Sequence, residues 1–287
     1  MTETFASFLA NPAVQATGWF LLCAALFGVL QHLMPHDRTQ PALRRDAWID
    51  AVYWIGGPLV YAAVSSTILV GGLMAIFGGD VAAAVAYAEA GAPWAQGVPL
   101  WLLALGALVV TDFYMYWSHR FFHTARMWRY HAIHHAPESL DWMHAVRFHP
   151  VNYVAHGLMA NVIALWMGFP PAALIVLTPF NILFSAMVHA NLNWTFGPLR
   201  WFIASPVYHR WHHTGADEGG SSNFAPTFPW IDMMFGTYYM PMDRRPGATG
   251  ITERDMPESL IGQLAYPWRR QPAAVPDRPG LGDPQAG

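Results

Sequence analysis

The stretch from Asp112 to His123, DFYMYWSHRFFH, decides the fold. Asp112–His123 itself contains neither Gly nor Pro and continues an apolar run that begins near Val98, so a single helix runs from a membrane-spanning length into a polar end carrying His119 and His123. Two further clusters share its character: HAIHH at 131–135 and HRWHH at 209–213. On a helix, positions i, i+3 and i+4 lie on one face, so each cluster can aim two or three imidazoles at a single point, most simply a metal. A lone helical histidine is usually a surface or satisfied core residue. Here one spacing occurs twice with a third pair nearby, and the motifs absorb eight of the chain's 14 histidines.

One zinc ion takes about four ligands, so eight imidazoles point to two metals. Carboxylates are nearly absent from the clusters, unlike the Glu-x-x-His pattern of soluble di-iron bundles. Arg120 follows His119, which excludes the HExxH of zinc proteases. A nitrogen-rich site with open positions suits iron that activates dioxygen.

Outside the clusters the chain is 54% hydrophobic and 11% charged, against roughly 25% charged in a soluble domain. That is a membrane composition. The net charge of −3 argues against a nucleic-acid partner. Cys23 is the single cysteine and lies in an apolar run, so it reads as a packed small hydrophobe, with no intrachain disulfide and no CxxC motif. All 15 basic residues are arginine, which points to genome composition.

Spanning a hydrocarbon core about 30 Å thick takes roughly 20 helical residues. Pro12 to Pro35 and Ala51 to Gly79 are uncharged, Gly91 to Thr111 follows, and Phe148 to Leu199 has no Asp, Glu, Lys or Arg. This last run holds two helices broken at Pro170 and Pro171. The hairpin turns near the far leaflet or within the bilayer, and its returning arm delivers His189. A cleaved signal peptide needs a basic leader, whereas Glu3 is the only charge before Asp37, so the first run reads as a retained helix.

Arg38, Arg44 and Arg45 follow the first span, Arg120, Arg126, Arg129 and Arg147 the third, and the rest begin at Arg200. By the positive-inside rule the N-terminus is outside, and the arginines and histidine clusters are cytoplasmic. Trp48, Tyr53, Tyr116, Trp117 and Trp128 fit an interfacial aromatic belt. From Asp243 onward hydrophobic periodicity fades, and Gln271 to Gly287 reads as a disordered tail. The fold expected is all-α: an integral membrane helical bundle with a cytoplasmic histidine-rich di-metal cap. It divides into N-terminal helices (1–94), a catalytic domain (95–242) and a partly disordered C-terminal extension (243–287).

With their flanks, the clusters resemble the fatty acid hydroxylase/sterol desaturase superfamily of integral-membrane, non-haem di-iron enzymes. The resembling segments are DFYMYWSHRFFH (112–123), WRYHAIHH (128–135), RFHP (147–150), HAN (189–191), PVYHRWHH (206–213), NF (223–224) and WIDMMFGTY (230–238), so the likeness covers about residues 95–242. It implies nine metal ligands: His119, His123, His131, His134, His135, His189, His209, His212 and His213. Some members carry a further histidine where this chain has Asn193, which is left as a weak ligand or water-binding group. Ile231 separates Trp230 from Asp232, where a direct Trp-Asp pair is usual.

Asp112, seven residues before His119, faces the same side of the helix. A carboxylate there could accept the second N–H of a ligating imidazole and fix its tautomer. The alternative is a plain helix-end charge. Asp232 has the same two readings. His149 reads as a capping or headgroup-contact residue rather than a tenth ligand, and His32, His36, His144 and His156 as structural or interfacial. The glycine-rich GADEGGSSN (215–223) reads as a mobile loop beside the site.

The resemblance implies hydroxylation, or desaturation, of a lipid C–H bond using two ferrous ions, dioxygen and two electrons. The electrons come from an external ferredoxin, cytochrome or reductase, because no haem-binding or ferredoxin segment is fused to the chain. Sterols or hopanoids, fatty acyl lipids, carotenoids and lipid headgroups all fit as substrates, and a bacterial inner membrane as the location. Rival readings are a histidine-rich metal transporter and a zinc-loaded structural protein. Transporter sites lie near the midplane, whereas these motifs follow the spans.

Overall fold

A computed structural model describes residues 10–251 and 256–269 of the chain. Among them every regular element is helical, and Pro35 with Leu192 and Thr214 with Thr249 form isolated bridges. In chain order the α-helices are α1 Pro12–Leu33, α2 Ala47–Ile76, α3 Val81–Ala90, α4 Leu100–Phe122, α5 Trp128–His135, α6 Pro150–Tyr153, α7 Met159–Trp166, α8 Pro171–His189, α9 Pro206–His212, α10 Pro229–Met234 and α11 Leu260–Leu264. A π turn, Val154–Leu158, joins α6 to α7.

Local chemistry sets the helix starts. The Asn11 side chain accepts the Ala13 N–H ahead of α1, Asp80 accepts that of Ala83 ahead of α3, and Ser205 accepts that of Tyr208 ahead of α9. Prolines 12, 171 and 206 open their helices, where a missing N–H costs nothing. As expected, α4 continues through the Asp112 segment without interruption.

Helices α1, α2, α4 and α8 are each long and apolar enough to cross a membrane. Their outer faces carry side chains such as Leu21 and Ile175, 60% and 69% exposed, which water would penalise and hydrocarbon accepts. The expected hairpin is present: α6, the π turn and α7 form the shorter arm and α8 the returning one. The chain turns at Gly168, where φ is +98° and a Cβ would lie 2.3 Å from the Cβ of Ala92, so only glycine fits.

At the opposite end of the spans the loops lock together. Asn191, just past α8, accepts the His36 and Asp37 N–H groups and donates to the Asp37 carbonyl, which ties the end of α1 to that of α8. Arg44 pairs with Asp46, Asp50 and Asp141, and Arg147 with Asp46 and Asp50, so the start of α2 is pinned to the 3-10 turn Trp142–Val146. Burial would raise the carboxyl of Asp141, but His144 and Arg44 outweigh it and hold the group well below the usual carboxylate range.

Two positions of the expected aromatic belt need correction. Tyr53 and Tyr116 are buried rather than interfacial, Tyr116 stacking on Phe235, while Trp48 and Trp117 do face outward. Of the two readings of His144, structural or interfacial, the structural one holds: it is fully buried beside Asp141. Beyond Asp243, α11 and the turn Tyr266–Trp268 fold back on the histidine end, where Arg129 donates to the Arg269 carbonyl and Trp268 packs on Tyr130. The tail from Gln271 to Gly287 lies outside the described residues.

Candidate metal centre

The nine histidines converge at the locked end of the bundle and separate into two groups. His119, His123, His131, His135 and His212 form one, and His134, His189, His209 and His213 the other; within each group the ligand-capable atoms lie within 4.8 Å of one another. Helix α4 brings His119 and His123, and α8 brings His189. The two HxxHH clusters do not each aim at one point. His131 and His135 join the first group while His134 turns to the second, and His209 and His213 join the second while His212 crosses to the first. The reason is helical: i and i+4 are about 40° apart around the axis, whereas i+3 lies about 100° from i+4.

Oxygen acceptors fix several rings. The Nδ1–H groups of His119, His189 and His212 donate to the carbonyls of Phe224, Ser185 and Ser222 at 2.8, 2.7 and 2.7 Å, and that of His131 to the Asn152 side chain at 2.7 Å. Each of these rings therefore presents a bare Nε2. The Nε2 atoms of His119 and His131 face each other at 3.0 Å, two lone pairs with no proton between them, and His212 Nε2 is buried without a partner among the described residues. A cation between such atoms turns the repulsion into ligation. Two nitrogens about 2.0–2.1 Å from one ion at right angles stand roughly 3 Å apart, and the close Nε2 pairs span 2.9–3.2 Å. The residues present therefore fit two metal ions.

Burial, reinforced by neighbouring imidazoles, holds His131, His134, His135, His209, His212 and His213 well below the ordinary imidazole value. At neutral pH they are uncharged, the form a metal requires.

The three residues expected in support lie elsewhere. Asp112 accepts the Thr227 and Phe228 N–H groups at 2.8 and 2.9 Å and so ties α4 to the segment before α10, without touching an imidazole. Asp232 accepts from Phe224 N, Ala225 N, Tyr208 Oη and Thr237 Oγ1. It orients the segment whose Phe224 carbonyl holds His119, so its effect on the ring passes through the backbone. Burial pushes its carboxyl up, against the pull of those hydrogen bonds. Asn193 is exposed and belongs to neither group. Residues 215–223 form a hydrogen-bonded turn, with the Gly215 carbonyl accepting three backbone N–H groups, and they deliver the Ser222 carbonyl to His212. His149 caps α6 as expected, its Nδ1 accepting the Val151 N–H.

Asn152 is the supporting residue that spacing did not reveal. It is 1% exposed, and its one sequence signal is a polar side chain within the charge-free run. His156, expected to be structural or interfacial, places its ring 5.5 Å from that of His119, on the π turn, with a buried Nδ1 lacking a partner among the described residues.

Helices long and apolar enough to cross a membrane end in two all-histidine groups whose geometry fits metal ions, the pattern of a membrane protein. Residues 104–237 match the family model described as fatty acid hydroxylase. An ornithine lipid hydroxylase of Rhizobium tropici is 25% identical over 88% of this chain and 75% of its own length. The alkylglycerol monooxygenase of Xenopus tropicalis is 33% identical over 51% of this chain and 32% of its own. A Delta(7)-sterol 5(6)-desaturase of Gibberella zeae is 28% identical over 47% and 37%. The chain thus spans three quarters of the first relative and about a third of the other two. No solved structure matches. Residues 104–237 thus carry a fatty acid hydroxylase domain, and the relatives are consistent with the fatty acid hydroxylase/sterol desaturase superfamily.

Proposed function

We propose that the protein is a membrane-bound di-iron monooxygenase that hydroxylates, or desaturates, a C–H bond of a lipid. The observation that carries this is the pairing of two buried all-imidazole groups, of five and four histidines, at the end of spanning helices. The relatives act in the same direction, being lipid hydroxylases, monooxygenases and desaturases by name.

Two ferrous ions held by the nine histidines would supply dioxygen activation and the oxidising power for C–H cleavage. The chain's own work is positioning. Carbonyls of Ser185, Ser222 and Phe224 and the Asn152 amide lock four rings with Nε2 inward, and Phe148, stacked on His134, walls the groups from water. Hydroxylation consumes one dioxygen, two electrons and two protons, leaving C–OH and water; the electrons come from a separate ferredoxin, cytochrome or reductase. We place the metal groups on the cytoplasmic side of a bacterial inner membrane, where the arginine distribution puts them. The substrate is a fatty acyl or other polar lipid, a sterol or hopanoid, or a carotenoid. The ornithine lipid hydroxylase match, which runs over most of the chain, favours a polar lipid.

Lipid mass spectrometry of cells with and without the protein tests the proposal. A species heavier by one oxygen, or lighter by two hydrogens, should depend on the protein and vanish with His212→Ala. Identical lipid profiles in expressing and non-expressing cells would refute it.

A further inference from the structure

Arg210 sits within the HRWHH motif yet points away from the histidines. Its side chain is 4% exposed, and among the described residues no carboxylate lies within 4 Å of it. Its Nη2 donates to the Leu140 carbonyl at 3.1 Å and to Asn191 Oδ1 at 3.3 Å, both neutral, and its Nε is buried without a partner. Asp37 and Asp141 act on it only from beyond ion-pair distance, and a buried guanidinium without a directly paired carboxylate is costly; of the groups it touches, Asn191 lies at the junction of α1 and α8.

The same guanidinium lines a cavity of about 590 Å³, together with Arg38 and Arg245, which are exposed, and with Asp37, Glu138 and Asn193. Asp37 is engaged by Thr39 through both its N–H and its hydroxyl, and Glu138 is exposed. Three guanidiniums against two carboxylates leave the cavity cationic. No histidine of either group lines it, and its link to the second group runs through the chain: Arg210 follows His209, and Asn193 lies four residues past His189. It also opens where the spans end, the depth at which lipid headgroups lie.

We propose that this cavity binds the anionic oxygen group, phosphate or carboxylate, of the lipid substrate's headgroup, with Arg210 as the buried anchor and Arg38 and Arg245 at the mouth. Guanidinium is matched to such groups because its planar fork donates two parallel hydrogen bonds to them. This rests on the lipid-oxidising role proposed above and specifies its substrate class: a polar lipid with an anionic head, in preference to a sterol or carotenoid.

The test measures binding rather than turnover, so the two proposals fail separately. Purified, metal-loaded full-length protein in detergent is titrated with oleoyl lysophosphatidic acid, with monooleoylglycerol as the uncharged match, and with inorganic phosphate. Metal content is measured in parallel. The wild type should bind lysophosphatidic acid at least about tenfold tighter than monooleoylglycerol, the scale of one charge-assisted hydrogen bond made or lost. Arg210→Gln should erase that preference with both metals retained, and the exposed double variant Arg38→Ala/Arg245→Ala should cut it severalfold. Equal binding of the two lipids by the wild type, or a preference that survives in Arg210→Gln, overturns the proposal. Phosphate binding as tight as lysophosphatidic acid assigns the cavity to a free anion and overturns it too. Should Arg210→Gln lose metal or fail to fold, the double variant decides: an unchanged preference overturns the headgroup site. A clear headgroup preference in a protein that oxidises no lipid would instead remove the oxygenase reading and leave the cavity.

Discussion

His135 and His213 stack with ring centroids 4.4 Å apart and planes 23° from parallel, one imidazole from each metal-capable group. The groups therefore share a wall of ring against ring, and a change at one is felt at the other through packing rather than through a common ligand. Each HxxHH cluster is the physical link, because its i+3 histidine reaches across.

That exchange makes His212 the informative position, since it alone carries the third cluster into the first group. Elemental analysis of the intact, metal-replete protein should give close to two ions per chain. His212→Ala should lower this toward one and abolish lipid oxidation while the protein still inserts, since no span is touched. His32→Ala, outside every cluster, should leave both values unchanged. Full metal content and turnover in His212→Ala would break the three-cluster site.

Asn152 holds the His131 ring by its Nδ1–H. Asn152→Leu, close in size but unable to accept that proton, should lower metal affinity or activity by about 10–100-fold, the usual effect of losing a ligand's hydrogen-bond partner. A competitive chelator titration reads it directly. Unaltered affinity would show that the ring is fixed by packing alone.

Asp112 bonds backbone N–H groups rather than an imidazole. Asp112→Ala should therefore cost about 1–3 kcal/mol of stability through the two unsatisfied donors, seen as a lower thermal midpoint, while the protein that remains folded keeps its metals. Metal loss without loss of stability would return Asp112 to the ligand sphere.

The cluster histidines outside the spans have folded values depressed by burial, whereas unfolded imidazoles titrate near about 6.5. Below that pH the unfolded chain binds more protons than the folded one, so stability present at neutral pH is lost as pH falls. Chelator-treated protein should show a lower thermal midpoint at pH 5.5 than at pH 7.5. Equal midpoints would mean that these rings are already protonated or solvated in the folded state.

The orientation proposed from arginines in alternate loops has the N-terminus outside and the histidine end inside. Reporter fusions after Ala84, in α3, and after Gly287 should report opposite compartments. The same compartment for both would overturn this topology.

Spacing in the sequence pointed to eight clustered histidines, the resemblance added His189, and apolar length and the prolines marked the long helices and the break at Pro170 and Pro171, because helical period, apolar length and proline chemistry are local properties of the chain. Tertiary structure decided what each polar group touches. Asp112 and Asp232 stand at plausible sequence distances from the histidines, yet their carboxylates are taken by backbone N–H groups of residues 224–228. The imidazoles found carbonyls and Asn152 instead. The splitting of each HxxHH cluster was likewise undecided by spacing. The i+3 and i+4 positions share a broad helix face but differ by about 100° around the axis, and only the opposing helices determine whether that angle is enough to send neighbouring histidines to different metals. Arg210 shows the same limit: within its motif it reads as a spacer between ligands, and only the packing of α1, α8 and α9 leaves it buried, without an ion pair among the described residues, and facing a cavity.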